Sequence, residues 1–148
     1  MKVVIADASC LIVFTNIRRL DILEKLFSEL WITKEVNEEY GLAVPPFISI
    51  HEPIDLQRQE ALMSLLDPGE ASSIALALEN SGCQIIIDEK KGRRIAIELG
   101  LDVTGTLGLL IEATSKGFIQ ANRSLIDELD YCGFRLSAEL KAKLYKDG

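Results

Sequence analysis

The opening stretch Lys2-Val3-Val4-Ile5-Ala6-Asp7-Ala8-Ser9 constrains this chain more than any other. Val3 to Ala6 are all apolar, and a carboxylate follows at once. A short apolar run without polar alternation reads as a strand covered on both faces, as in a parallel sheet. Asp7 then stands at the carboxyl end of that strand. Open α/β sheets bind their ligands just outside those ends. Ser9 is expected to cap a helix from Cys10 to Asn16.

The rest of the chain alternates in kind. Ile22, Leu23, Leu26, Phe27 and Leu30 are spaced for one helix face. Trp31-Ile32-Thr33 reads as a short strand, and Thr33 as the cap of a helix that Gly41 closes. The segment 43–53 holds three of the four prolines, with a short strand expected over Phe47 to Ile50. A helix from Ile54 to Leu66 is broken by Asp67-Pro68-Gly69, and Glu70 opens the next. Gln84 to Ile87 is a second buried strand, and it ends in Asp88. A basic helix, 90–99, a short strand, 101–104, and a helix, 106–116, come next. Further helices are expected over 125–131 and 137–146. This order implies βαβ units: an α/β fold, a three-layer αβα sandwich around a central, mostly parallel twisted sheet. We expect one domain over 1–148.

With 148 residues, 48% of them hydrophobic and 26% charged, the chain can bury a substantial core. No apolar run approaches the ~18 residues of a membrane span. The start lacks the pattern of a signal peptide, so a cytoplasmic protein is expected. Cys10, Cys83 and Cys132 are widely spaced and form no CxxC pair, which argues against a zinc site or a disulfide framework. The single histidine, His51, reads as a loop or surface residue. A net charge of −7 gives no overall basic field for nucleic acid. Part of it could belong to a carboxylate cluster neutralised by cations.

Four carboxylates fall at comparable places: Asp7 and Asp88 at strand ends, Glu39 in the helix after the second strand, and Glu70 in a first helical turn. Folding alone gives no reason to gather such charges, whereas a hard divalent cation does. Each has a plainer reading. Glu89 competes with Asp88, Glu70 suits a helix dipole, and Glu39 shares its helix with Glu35 and Glu38. Lys90, Lys91, Arg93 and Arg94 follow Asp88 and could hold a phosphate backbone, or form a solvated helix face.

Several segments, taken in order, resemble the PIN-domain family, especially its small prokaryotic PIN-like branch of predicted nucleic-acid-binding proteins. They are Ile5-Ala6-Asp7-Ala8-Ser9, Val36-Asn37-Glu38-Glu39, Gly69-Glu70-Ala71-Ser72-Ser73-Ile74-Ala75-Leu76-Ala77, Ile86-Ile87-Asp88-Glu89-Lys90-Lys91-Gly92-Arg93, Gly105-Thr106-Leu107-Gly108 and Gly133-Phe134-Arg135-Leu136-Ser137. The resemblance implies a metal-dependent endoribonuclease with Asp7, Glu39, Glu70 and Asp88 as catalytic acids. Asp7, Glu70 and Asp88 would be ligands of magnesium (Mg2+) or manganese (Mn2+). Ser9, Lys90, Lys91, Arg93 and Arg94 would meet RNA. It further implies a homodimer and, as in toxin–antitoxin pairs, a cognate antitoxin protein. Glu70 is longer than the Asp common in the ribonuclease toxins, and Glu89-Lys90-Lys91 is not the usual toxin sequence.

The alternative is a non-catalytic PIN-like module that binds nucleic acid or protein. An aspartate-nucleophile phosphatase wants a second Asp where this chain has Ser9. A dinucleotide site wants a GxGxxG after the first strand, which is missing.

Overall fold

The computed structural model describes residues 2–120 and 123–131, together with 138, 139 and 142. Apart from those three positions, the expected helix over 137–146 and the segment 133–137 lie outside the described residues.

In chain order the elements are β1 (Val4–Ala6), α1 (Ala8–Asn16), α2 (Asp21–Leu26), β2 (Leu30–Ile32), α3 (Lys34–Tyr40), β3 (Ile48–Ile50), α4 (Leu56–Met63), α5 (Pro68–Leu78), β4 (Gln84–Ile86), α6 (Lys90–Glu98), β5 (Asp102–Thr104), α7 (Thr106–Ser115) and α8 (Arg123–Tyr131). The strands form one sheet in the order β3-β2-β1-β4-β5, and every pairing is parallel. Ile5 lies between Trp31 on one side and Ile85 on the other.

Strand alternation divides the core. Val4, Ala6, Leu30, Ile32 and Ile86 pack with Leu11, Phe14, Ile22, Val36, Leu109 and Leu129. Ile5, Ile85 and Ile87 pack with Ala71, Ile74, Ala77 and Ala96 on the opposite face. Each fully buried Ile, Leu or Phe contributes about 1.5–3 kcal/mol relative to exposure. Both faces of β1 and β4 are therefore covered, which is why these strands carry no polar alternation.

The strand order matters most for function. The chain runs outward from β1 to β2 and β3, then crosses back to place β4 on the other flank of β1. The direction of winding reverses between β1 and β4. That switch point is where an open α/β sheet forms its crevice, and Asp7 and Asp88 are the residues just beyond those two strands.

Three local expectations are corrected. Ser9 does not cap α1; Asp7 does, with extended backbone (φ −85°, ψ 171°) and its carboxylate accepting from the Cys10 N–H. Leu30 belongs to β2, because Phe27 turns extended (φ −135°) and ends α2 at Leu26. The helix before Asp67 is only Leu56–Met63, started by Asp55. Thr33 caps α3 as expected, and Gly41 ends it at φ 76°.

His51 has a packing role. Its ring stacks on Trp31 with centroids 3.7 Å apart, and its Nε2 lies 2.9 Å from the Ser49 hydroxyl. Among the described residues no helix is long and apolar enough to cross a membrane.

Candidate active site

Asp7 is 4% exposed and ties two elements together. One carboxylate oxygen accepts from the Cys10 N–H at 2.9 Å, and the other accepts from the Asp88 N–H at 3.0 Å. Burial pushes its carboxyl up to about 7, the nearby Asp88 charge adds to this, and the two backbone donors oppose it.

Asp88 is held in turn by α7. The Thr106 N–H donates to one of its oxygens at 2.7 Å, and the Thr106 hydroxyl donates to the other. Hydrogen bonds thus run across three adjacent strand ends, from Thr106 to Asp88 to Asp7. A Cβ on Gly105 would lie 3.0 Å from Asp88 Oδ1 and 3.0 Å from Arg93 Nη1. Glycine there lets carboxylate and guanidinium both approach the α7 N-terminus.

A second group of acids adjoins the first. Asp7, Ser9, Glu39, Asp67, Glu70 and Glu89 line one cleft of about 30 Å³, room for a water-sized guest. Asp67 caps α5 by accepting from the Glu70 N–H at 2.9 Å, and Glu89 caps α6 by accepting from the Gly92 N–H at 2.7 Å. Glu70 Oε2 is buried and accepts no hydrogen bond, while the protonated carboxyl lies within hydrogen-bond reach of the Asp67 and Glu89 carboxylates. A Cβ on Gly92 would stand 2.6 Å from that oxygen, so α6 approaches Glu70 through its glycine. Burial, with Asp67 and Glu89 adding to it, pushes the Glu70 carboxyl up to about 9. It therefore keeps its proton at neutral pH. Glu39 is exposed at the end of α3; partial burial, then Asp67, raises its carboxyl too.

A buried hydroxyl pair fixes the scaffold beneath. Thr33 Oγ1 and Ser72 Oγ lie 2.7 Å apart, joining the start of α3 to α5. Ser72 and Ser73 both donate to the Gly69 carbonyl. These contacts set the helix carrying Glu39 against the helix carrying Glu70.

Sequence-based residues are thus sorted into three sets. Asp7 and Asp88 adjoin directly. Glu39 and Glu70 face the same cleft as Asp7, grouped with Asp67 and Glu89. Lys90, Lys91, Arg93 and Arg94 are exposed on α6, and Asp88, Lys90, Arg93, Arg94, Ile97 and Glu98 line a concavity of about 440 Å³. Ser9 is exposed at the cleft. Sequence reasoning missed Asp67 and Thr106. Both read locally as helix-start residues, and only the fold shows what else they touch. A larger concavity among the described residues, about 1110 Å³ beside α8, is lined by residues such as Asn16, Arg18, Arg123 and Tyr131 and by none of these acids. Charge locates the candidate site better than volume.

Among the described residues no three His, Cys, Asp or Glu side chains converge closely enough to hold an ion by themselves. Asp7 and Asp88, joined through the Asp88 backbone N–H and within electrostatic reach of each other, both carry carboxylates. Such a site can take a hard cation or a phosphate bridged by one.

No curated protein matches the chain. The family profile described as PIN domain matches residues 3–147, and its nuclease-type domain is consistent with this five-stranded parallel sheet. The chain belongs to the PIN-domain family.

Proposed function

We propose that this protein is a divalent-metal-dependent endoribonuclease that hydrolyses RNA phosphodiesters at the β1/β4 switch point. The observation that supports this most is the Asp7–Asp88 pair. The buried Asp7 carboxylate accepts from the Asp88 backbone N–H and feels the Asp88 charge, and Glu70, crowded by Asp67 and Glu89, lines the same cleft as Asp7. An array of buried or crowded acids destabilises a fold unless a ligand uses it. The residues fit a hard cation, because all the donors are oxygens. Magnesium commonly binds through one or two carboxylates, with waters and substrate phosphates completing its shell.

Asp7 and Asp88 would hold the cation, magnesium or manganese. Bound there, it supplies a lowered water pKa and charge stabilisation at the phosphoryl oxygens. The remaining work belongs to the chain. Thr106 keeps the Asp88 carboxylate oriented from the α7 N-terminus. Glu39, exposed at the cleft, takes the proton of the attacking water. Glu70, protonated among its neighbouring acids, would give its proton to solvent if a cation lay within reach of its carboxyl. Lys90, Lys91, Arg93 and Arg94 meet the RNA beside Asp88, and Ser9 borders the strand's path. By resemblance the reading extends to a homodimer and to inhibition by a cognate antitoxin protein.

The test is cleavage of a pool of single-stranded and structured RNAs by purified protein in magnesium, in manganese and in chelator. Cleavage with either cation and none in chelator is expected. RNA binding that ignores the cation, without cleavage, would instead support the non-catalytic module.

Thr106 gives a finer check. Thr106→Val keeps the backbone donor to Asp88 and loses the hydroxyl donor. A loss of roughly ten- to a hundred-fold in kcat is expected, as when a ligand's supporting hydrogen bond is removed. Thr106→Ser should restore it, and an unchanged kcat in the valine variant would remove Thr106 from the account.

A further inference from the structure

We infer that the concavity along α6 is a nucleobase subsite beside the scissile phosphate, built from Arg93, Arg94 and Ile97 and bounded by Glu98, which selects bases bearing an amino group over uracil. This rests on the nuclease reading and adds a specificity determinant to it.

The placement comes first. The concavity of about 440 Å³ starts at Asp88 and continues over Lys90, Arg93, Arg94, Ile97 and Glu98. These α6 positions are spaced i, i+3, i+4, i+7 and i+8, so they share one helix face. From Lys90 to Glu98 the helix rises about 12 Å, which separates a phosphate end near Asp88 from a distal end.

The charges come second. Lys2, Arg19, Lys25, Arg58 and Lys116 each sit in an ion pair. Among the described residues, the salt bridges involve none of Lys90, Lys91, Arg93 and Arg94. In a chain of net charge −7, four cations gathered on the helix after Asp88, one of them facing Glu89, are complementary to an anionic ligand. Phosphates alone, however, do not account for the distal end. Ile97 is 58% exposed there and lines the concavity with Arg94, while the Arg93 guanidinium reaches back to the Asp88 end beside Gly105. An apolar floor lined by arginine side chains, with a cation at its phosphate end, suits a stacked, unpaired base. Glu98 repels phosphate but accepts hydrogen bonds from exocyclic amino groups, as carboxylates do toward cytosine N4. Adenine and cytosine offer an exocyclic amino group, whereas uracil offers only a ring N3–H set between two carbonyls that repel a carboxylate.

The experiment measures anisotropy of fluorescein-labelled single-stranded RNAs, runs of adenosine, cytidine or uridine, with the full chain in magnesium buffer on ice. Cut positions in a mixed pool are mapped by sequencing in parallel. The adenosine and cytidine runs are expected to bind about ten-fold more tightly than the uridine run. Glu98→Gln should close the gap, because an amide both donates and accepts. Ile97→Ala should weaken all three alike. Equal affinities for the three RNAs, or a gap that survives Glu98→Gln, would overturn the subsite. Cleavage without base preference overturns the subsite and leaves the nuclease reading standing. Base-selective binding without cleavage does the reverse. Failure to bind any of the RNAs overturns both, and leaves the α6 face to an acidic protein partner.

Discussion

The Asp7→Asn protein is expected to fold and to lose RNA cleavage by on the order of a thousand-fold, the scale seen when one preorganised electrostatic contact to a transition state is removed. The expectation follows from what each oxygen of Asp7 does. Asparagine is as good a helix cap as aspartate, so its carbonyl can keep the Cys10 N–H that now lies at 2.9 Å. Its amide nitrogen would then face the Asp88 N–H, donor against donor. That mismatch costs about 1–3 kcal/mol, and removal of a buried charge offsets it. Circular dichroism and a thermal melt check the fold, and initial cleavage rates check the chemistry. A fully active Asp7→Asn enzyme would contradict the role given to this residue.

The second large effect concerns pH. Asp7 has its carboxyl raised from 3.8 to about 7, and Glu70 from 4.5 to about 9. Both groups bind protons more tightly in the folded chain than in the unfolded one. Between the two values of each group, the folded state holds a proton that the unfolded state lacks. Stability of the cation-free protein therefore falls as pH rises from about 4 through about 9, opposite to the usual behaviour of carboxylates in ion pairs. For Asp7 alone the difference corresponds to about 4 kcal/mol. Urea unfolding in chelator should give a lower midpoint at pH ~8 than at pH ~5. Asp7→Asn should flatten much of that slope, and saturating magnesium should raise the midpoint most at the higher pH. A midpoint that climbs steadily with pH in chelator would contradict the crowded-acid description.

How much of this could be read from residues alone follows from the range of each interaction. Val3 to Ala6 and Ile85 to Ile87 marked the strands observed as Val4–Ala6 and Gln84–Ile86, because burial on both faces leaves an unbroken apolar run. The carboxylates after them could then be placed at strand ends. Thr33 and Gly41 were legible because caps are local chemistry. Ser9 misled, since a serine near a helix start is an obvious cap, yet Asp7 reached the Cys10 N–H first. Leu30 misled because an apolar residue in helical register can equally begin a strand. Asp67, Thr106 and Gly92 could not be assigned. Each looks like a cap or an ordinary helix residue until the switch point brings α5, α6 and α7 against the same strand ends. The Glu70–Gly92 approach joins residues from two helices, and no local pattern encodes it.

The central claim is that the paired acids at the switch point exist to hold a cation. Calorimetric titration of manganese into the wild-type chain, beside Asp7→Asn, at a pH of about 8 where Asp7 is mostly ionised, tests it most directly. The account predicts saturable binding to the wild type, lost or weakened about a hundred-fold in the variant. No heat with either protein, or the same binding curve for both, would contradict it.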